Sequence, residues 1–420
     1  MRSVGWQFGW LWTAYAVSTF GTWIAFDALA LTAILLLHAG AVEVSILAAA
    51  GLAVGALVAV PLGPWVEFRR KRPVMIAMDM IRFSALASIP LAFALGWLSF
   101  VQLLAVSVII GTANIVFRAA SGAYLKGLVP AHELLIANGR FESTTWIATA
   151  IGPPLGGAAI GLLGPVTTVI ADALSYLCSA AAITAIGASE APPPPRTSAN
   201  AIRAGDLLDG WRYILGHPTL RPLFFNTILV GGLIMATAPL LAVLMLGELG
   251  FKPWQYGLAF GLPCIGGLAG ARLANGLVAR FGQHTVMRVA GALRACWSVG
   301  LAFVGPGSSG LVLVIAVQFG LVACMGVFNP VLATCRLEQT PADRVARTLA
   351  AWSVTSSATI AAMTALWGLL ASVTGPRMAI AIAGVLMLAT PLLLPRQAAA
   401  SEREQELADA ASSGLASAEG

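Results

Sequence analysis

Two ionisable side chains interrupt apolar stretches of this sequence with no opposite charge nearby: Asp27 in the run 9–37 and Arg118 in the run 99–120. A charge inside a stretch long enough to cross a bilayer costs about 2.5–3.5 kcal/mol on insertion scales, so it is read first as a functional group. A carboxylate such as Asp27, taken out of water, can bind and release a proton near neutral pH. The plainer alternative is a neutral acid hydrogen-bonded to a neighbouring helix. Arg118 keeps its proton, so it would tune a carboxylate or hold an anionic group. Otherwise its long side chain reaches back to the aqueous surface. Other ionisable groups read as structural. Asp79 and Arg82, spaced i, i+3, suit an ion pair with each other or with the basic stretch before them. Asp172 suits a helix-to-helix hydrogen bond, and His132 and His217 suit solvated segments. Glu142, at the mouth of a span, is left open.

The elements that must position these groups are membrane helices. The chain is 58% hydrophobic and 10% charged, against about 25% charged in soluble domains, and its mean hydropathy is +0.86. Apolar runs fall at 9–37, 44–66, 73–95, 99–120, 138–163, 166–187, 222–246, 256–279, 285–304, 311–334, 348–373 and 377–395. Each approaches or exceeds the ~20 residues a helix needs to cross hydrocarbon about 30 Å thick. The basic stretch at 69–72 separates the second and third runs and belongs on the cytoplasmic side. With that side fixed, the inside segments collect nearly all Lys and Arg, and the outside loops hold only Lys252 and Arg377. Both termini are then cytoplasmic, in a multi-pass protein of the cell membrane. The net charge of +6 follows from this asymmetry and calls for no nucleic acid. The five cysteines lie in or at the ends of apolar runs and read as small buried hydrophobes.

The two halves repeat. Val74, Met75 and Arg82 recur as Val286, Met287 and Arg294, 212 residues on, and Gly55 recurs as Gly267. Phe117 matches Phe328, and Pro130 matches Pro341, 211 residues on. The expected division is a six-helix half over 1–187, a linker over 188–220, a second six-helix half over 221–395 and a tail over 396–420. The linker opens with a proline run at 192–195, then carries a short helix that either lies on the membrane surface or packs under the bundle.

Several segments carry a family resemblance. Gly63 opens a segment with Glu67 as its acid and Lys71 and Arg72 as its terminal bases. This is similar to the Gly-x-x-x-Asp-Arg-x-Gly-Arg-Arg loop of the major facilitator superfamily, with Phe68 and Arg70 departing from it. Arg118 sits in a segment similar to the family's Arg-x-x-Gln-Gly. Gly139, Gly152, Pro153, Gly156 and Gly157 resemble the helix-five antiporter motif, with Ala148 in place of its second glycine. The chain most resembles bacterial exporters of the macrolide-efflux and enterobactin-exporter type. The resemblance implies an all-α fold of about twelve transmembrane helices in two pseudo-symmetric halves. It implies a monomer that moves small molecules by alternating access, coupled to protons through Asp27 and Arg118. It assigns a conformational gate to the loop at Gly63, Glu67, Lys71 and Arg72, with Asp79 and Arg82 behind it. It also places Trp12, Tyr15, Trp23, Phe225, Met235 and Met325 on helices that face the central cavity, although singly such residues more often pack between helices. No cofactor or metal is called for.

Two other classes compete. A membrane-embedded enzyme would cluster acids or histidines at one membrane face, and no HExxH, GxSxG or ATP-binding loop occurs. A scaffold has no need of costly charges such as Asp27 and Arg118. The expected activity is export of lipophilic or drug-like molecules, or of a siderophore or other secondary metabolite.

Overall fold

The computed structural model describes residues 5–25, 28–37, 41–187, 190 and 204–395. The first half comprises α1 (Trp6–Ile24), α2 (Ala28–Leu37), α3 (Ala41–Ala59), α4 (Leu62–Glu67), α5 (Lys71–Ala94), α6 (Phe100–Leu128), α7 (Leu134–Leu163) and α8 (Pro165–Ala185). The linker contributes α9 (Ala204–Gly216). The second half comprises α10 (Leu220–Ala242), α11 (Pro253–Gly261), α12 (Pro263–Phe281), α13 (Gln283–Trp297), α14 (Gly307–Glu338), α15 (Val345–Thr374) and α16 (Pro376–Ala389). Among the described residues, nine helices are long and apolar enough to cross a membrane. The remaining predicted runs, 9–37, 44–66 and 138–163, are covered by α1 with α2, α3 with α4, and α7. The second of these runs breaks near Pro61, because proline lacks the amide hydrogen that would continue the ladder.

The turns explain why the helices pair in antiparallel fashion. Gly164 and Gly375 adopt φ of 84° and 85°, each ending one long helix and capping the next. Each is followed by a proline in the first turn of the new helix, where its missing N–H is not needed. A side chain at either glycine would be strained in that left-handed backbone.

The repeat becomes a shared contact. Arg82 lies 4.4 Å from the centre of the Phe117 ring, and Arg294 lies 3.6 Å from that of Phe328. The halves then diverge. Asp79 pairs with Arg82, whereas Gly291 holds the matching position, and Arg294 donates to Asn226 instead.

The halves meet through α3, α4, α6 and α7 on one side and α12, α14 and α15 on the other. One union is at the end of the bundle that carries α9, called here the linker end. There Leu337, Val345 and Ala346 of the second half join a core built on Phe8, Met75, Tyr124 and Leu134 of the first. Lys126, in the last turn of α6, donates to the carbonyls of Leu337 and Thr340, so it caps the end of α14 across the junction.

Candidate functional site

A buried charge cluster is assembled at the linker end from three elements. Glu67 closes α4, and its carboxylate receives the Arg347 guanidinium from α15. Arg347 also donates to Asp209 of α9 at 2.8 Å and lies 5.3 Å from the Phe68 ring centre. One arginine of the second half thus holds the first half and the linker together. The Arg347 and Glu67 side chains are only 14% and 4% exposed, so the pair is shut away from water. The loop is held locally as well. Lys71 Nζ donates to the carbonyls of Glu67 at 2.6 Å and Arg69 at 2.7 Å. Arg72 Nε donates to the carbonyl of Ile183 at 3.0 Å. Glu190 accepts from the backbone N–H groups of Lys71 and Arg72, placing an anion on the positive end of α5. Gly63 lies within α4 itself.

Glu67 lies beyond the apolar run, outside the spans. Burial pushes its carboxyl up from 4.5 to about 7, although Arg347 pulls the other way. A carboxyl that holds its proton more tightly when buried than when solvated favours the joined, buried arrangement as pH falls. That contribution is complete below about 4.5 and is lost as pH rises through about 7. Opening of the linker end, read by labelling of introduced cysteines, should therefore rise between pH about 5.5 and 8. In Glu67→Gln the profile should be flat. An equal slope in that variant would assign the pH response to another group.

Asp79 and Arg82, expected to belong with the loop, stand apart from this cluster, inside the first half. Asp79 pairs with Arg82 and accepts from Ser179 at 2.8 Å. Arg82 donates to Asn114 at 2.7 Å and is sandwiched between the rings of Phe117 and Tyr176, at 4.4 and 4.3 Å. Asp172 accepts from Thr22 at 3.3 Å, and Thr22 also shares a 2.9 Å hydrogen bond with Tyr176. These contacts cross-link α1, α5, α6 and α8 within the first half.

Above this cluster, the seam between the halves carries a carboxylate. Glu142 of α7 accepts from Asn329 of α14 at 2.8 Å and from Trp146, one turn along α7, at 2.9 Å. One turn nearer the linker end, Asn138 donates to Thr334 at 3.0 Å. Trp146 lies against Gly267 of α12, where any side chain on that glycine would overlap the indole. Gly139 faces the Ala271 carbonyl, again across the seam. By contrast Gly152 and Gly156 face Trp23 and Ile24 of α1, within one half, and nothing lies within 4 Å of a Cβ built on Gly157. Pro153 is accommodated inside the unbroken α7.

Asp27 lies outside the described residues. Arg118 is exposed on α6 between buried Phe117 and Ala119. Of the expected cavity set, Trp12 donates to Thr144 at 2.9 Å, and Tyr15 shares a 2.7 Å hydrogen bond with Thr145. Trp23 packs on Gly152. Phe225 and Met235 are exposed, while Met325 packs partly buried among α10, α14 and α15. Sequence reasoning did not find Arg347, Asn329 or Glu190. A signal existed for Asn329, which occupies the repeat position of Arg118, 211 residues on.

Comparison with known proteins bears on the whole assembly. Residues 11–335 match the family model described as Major Facilitator Superfamily. The multidrug efflux pump Tap of Mycolicibacterium fortuitum is 25% identical over 332 residues, covering 76% of this chain and 80% of Tap. A bacterial homologue of the iron transporter ferroportin, solved in an outward-facing state, superposes with a TM-score of 0.78 at 16% identity, covering 94% of this chain and 98% of the other. The human organic anion transporter MFSD10 superposes with a TM-score of 0.72 at 14% identity, covering 92% and 98%. Two helical halves related by a repeat, with a family match over most of the length, make this chain a transporter, not an enzyme, and a member of the Major Facilitator Superfamily.

Proposed function

We propose that the protein is a proton-coupled exporter of small, largely apolar organic molecules. It works in the cell membrane as a monomer, with both termini and the linker in the cytoplasm. Its moving bodies are the halves 1–187 and 221–395. Because the gate joins them at the linker end, the described conformation is closed to the cytoplasm, and the substrate leaves on the other side. The efflux role of Tap and the helix-five glycine pattern support export.

The observation that carries proton coupling is Glu142. Its hydrogen bond from Asn329 spans the seam, so rocking of the halves must break it. The carboxyl then exchanges an amide donor for water, and it can take up or release a proton with each change of state. Asp27, in the same half, is the second carboxyl on the route. The test uses inside-out vesicles with an acidified lumen and lipophilic compounds added outside. Wild type should release lumenal protons when an exported compound is added. Glu142→Gln keeps an oxygen to accept both hydrogen bonds but cannot ionise, and it should lose at least about tenfold of that flux. Release retained by Glu142→Gln but lost in Asp27→Asn moves the proton path to Asp27. Release retained by both variants removes both carboxyls from the path. Compound uptake without proton release would overturn coupling and leave transport standing.

A further inference from the structure

Two guanidiniums lie beside the junction of the halves, and no carboxylate among the described residues answers them. Arg118 shares a face of α6 with Gly122, one turn on. A Cβ on Gly122 would run into Leu349 of α15 and reach Leu337 of α14. Arg118 therefore stands just past the point where α6 touches the second half. It makes no hydrogen bond or ion pair among the described residues, and it is exposed while Phe117, Ala119 and Ala120 beside it are buried. On the facing helix, Arg336 adjoins Leu337. It lies on the stripe of α14 that carries Met325 and Asn329, eleven and seven residues before it. Its guanidinium rests 4.9 Å from the Trp352 ring centre, its buried Nε has no partner, and it feels the charge of Arg118. The acids near it are engaged elsewhere. Glu338 accepts from Gln283 at 3.1 Å, and Glu142 is held by Asn329 and Trp146.

Like charges repel, and the partly buried Arg336 is costly without a counter-ion. An anionic group between them relieves both costs. Guanidinium forks suit the planar or tetrahedral oxygens of a carboxylate, sulfonate or phosphate. The rest of the substrate would meet the apolar surface of Phe225 and Met325. We infer that Arg118 and Arg336 form an anion-recognition site, so that the preferred cargo is an amphipathic organic anion: one acidic group on an apolar body. This rests on the transporter reading above and narrows it to a substrate class.

The test uses one fluorophore in three charge states: dansylglycine, an anion; dansylamide, neutral; and dansylcadaverine, a cation. Binding to the full chain in nanodiscs of neutral lipid is read by fluorescence anisotropy, with uptake into inside-out vesicles as a separate arm. Dansylglycine should bind about 10- to 100-fold more tightly than dansylamide, the range for charge-assisted hydrogen bonds to one acidic group. The ratio should fall to within about threefold in Arg118→Gln and recover in part in Arg118→Lys. Arg118 is exposed, so this variant tests the site even if Arg336→Gln fails to fold. Equal binding of all three probes, preference for dansylcadaverine, or an unchanged ratio in Arg118→Gln overturns the inference. Selective anion binding without uptake supports the site and counts against export. Uptake of dansylamide with no anion preference supports export and overturns the site.

Discussion

Replacing Arg347 with alanine should open the linker end of the bundle, by more than the loss of one contact would give. The arginine is the shared partner of Glu67 and Asp209, and Glu67 is buried. Removing one member of a buried pair leaves the other charged and unpaired, at a cost of about 3–5 kcal/mol. At about 1.4 kcal/mol per tenfold, the closed-to-open ratio should fall by roughly two to three and a half orders of magnitude. The effect should be larger near pH 8 than near pH 6, because Glu67 with a pKa of about 7 is more ionised there. Spin labels at the exposed positions Arg70 and Arg344 would read it as replacement of one short distance by a longer one. Adding Glu67→Gln to the alanine variant should restore part of the closed population, since it removes the stranded charge. If Arg347→Ala keeps the short distance, closure is carried by Leu337, Val345 and Ala346 in the shared core, and the ion pair merely decorates it.

The same gate shows what was legible in the sequence. Glu67 stands out as an acid beside four cations, and the loop's place between two spans follows from lipid thickness alone. Its partner does not stand out. Arg347 is 280 residues away, and the register of one half against the other is set by surfaces that no local pattern encodes. Arg82 and Phe117 divide in the same way. Both were visible as repeated residues, but their stacking became visible only when α5 was laid against α6. For Glu142, the apolar run advertised a carboxyl at a mouth, while its fate depended on α14 supplying Asn329. The spans were readable because lipid imposes one rule on every residue it touches. The seam was harder because each contact there is particular to two helices that meet only in the fold.

The glycines of α7 offer a matched pair in which local sequence is nearly constant and surroundings differ. A methyl group on Gly156 would be driven into the Ile24 carbonyl, which is backbone and cannot rotate away. Helices in lipid pack through such close approaches, so α1 would have to move off α7 or the half would fail to assemble. Gly157, the next residue, has nothing within 4 Å of the added carbon, and alanine is the better helix former. Gly156→Ala should therefore sharply lower the yield and melting temperature of purified protein, with a loss of a few kcal/mol in keeping with overpacking. Gly157→Ala should be neutral, or stabilising by up to about 1 kcal/mol. Transport per folded molecule separates packing from function in what resembles an antiporter motif. If Gly156→Ala folds normally yet loses transport, the close contact serves the motion of α1 against α7 rather than assembly. If Gly157→Ala also loses transport while folding well, the open side of this helix is a working surface. If Gly156→Ala folds and transports like wild type, α1 and α7 do not need the approach described here, and the motif's glycines have some other purpose.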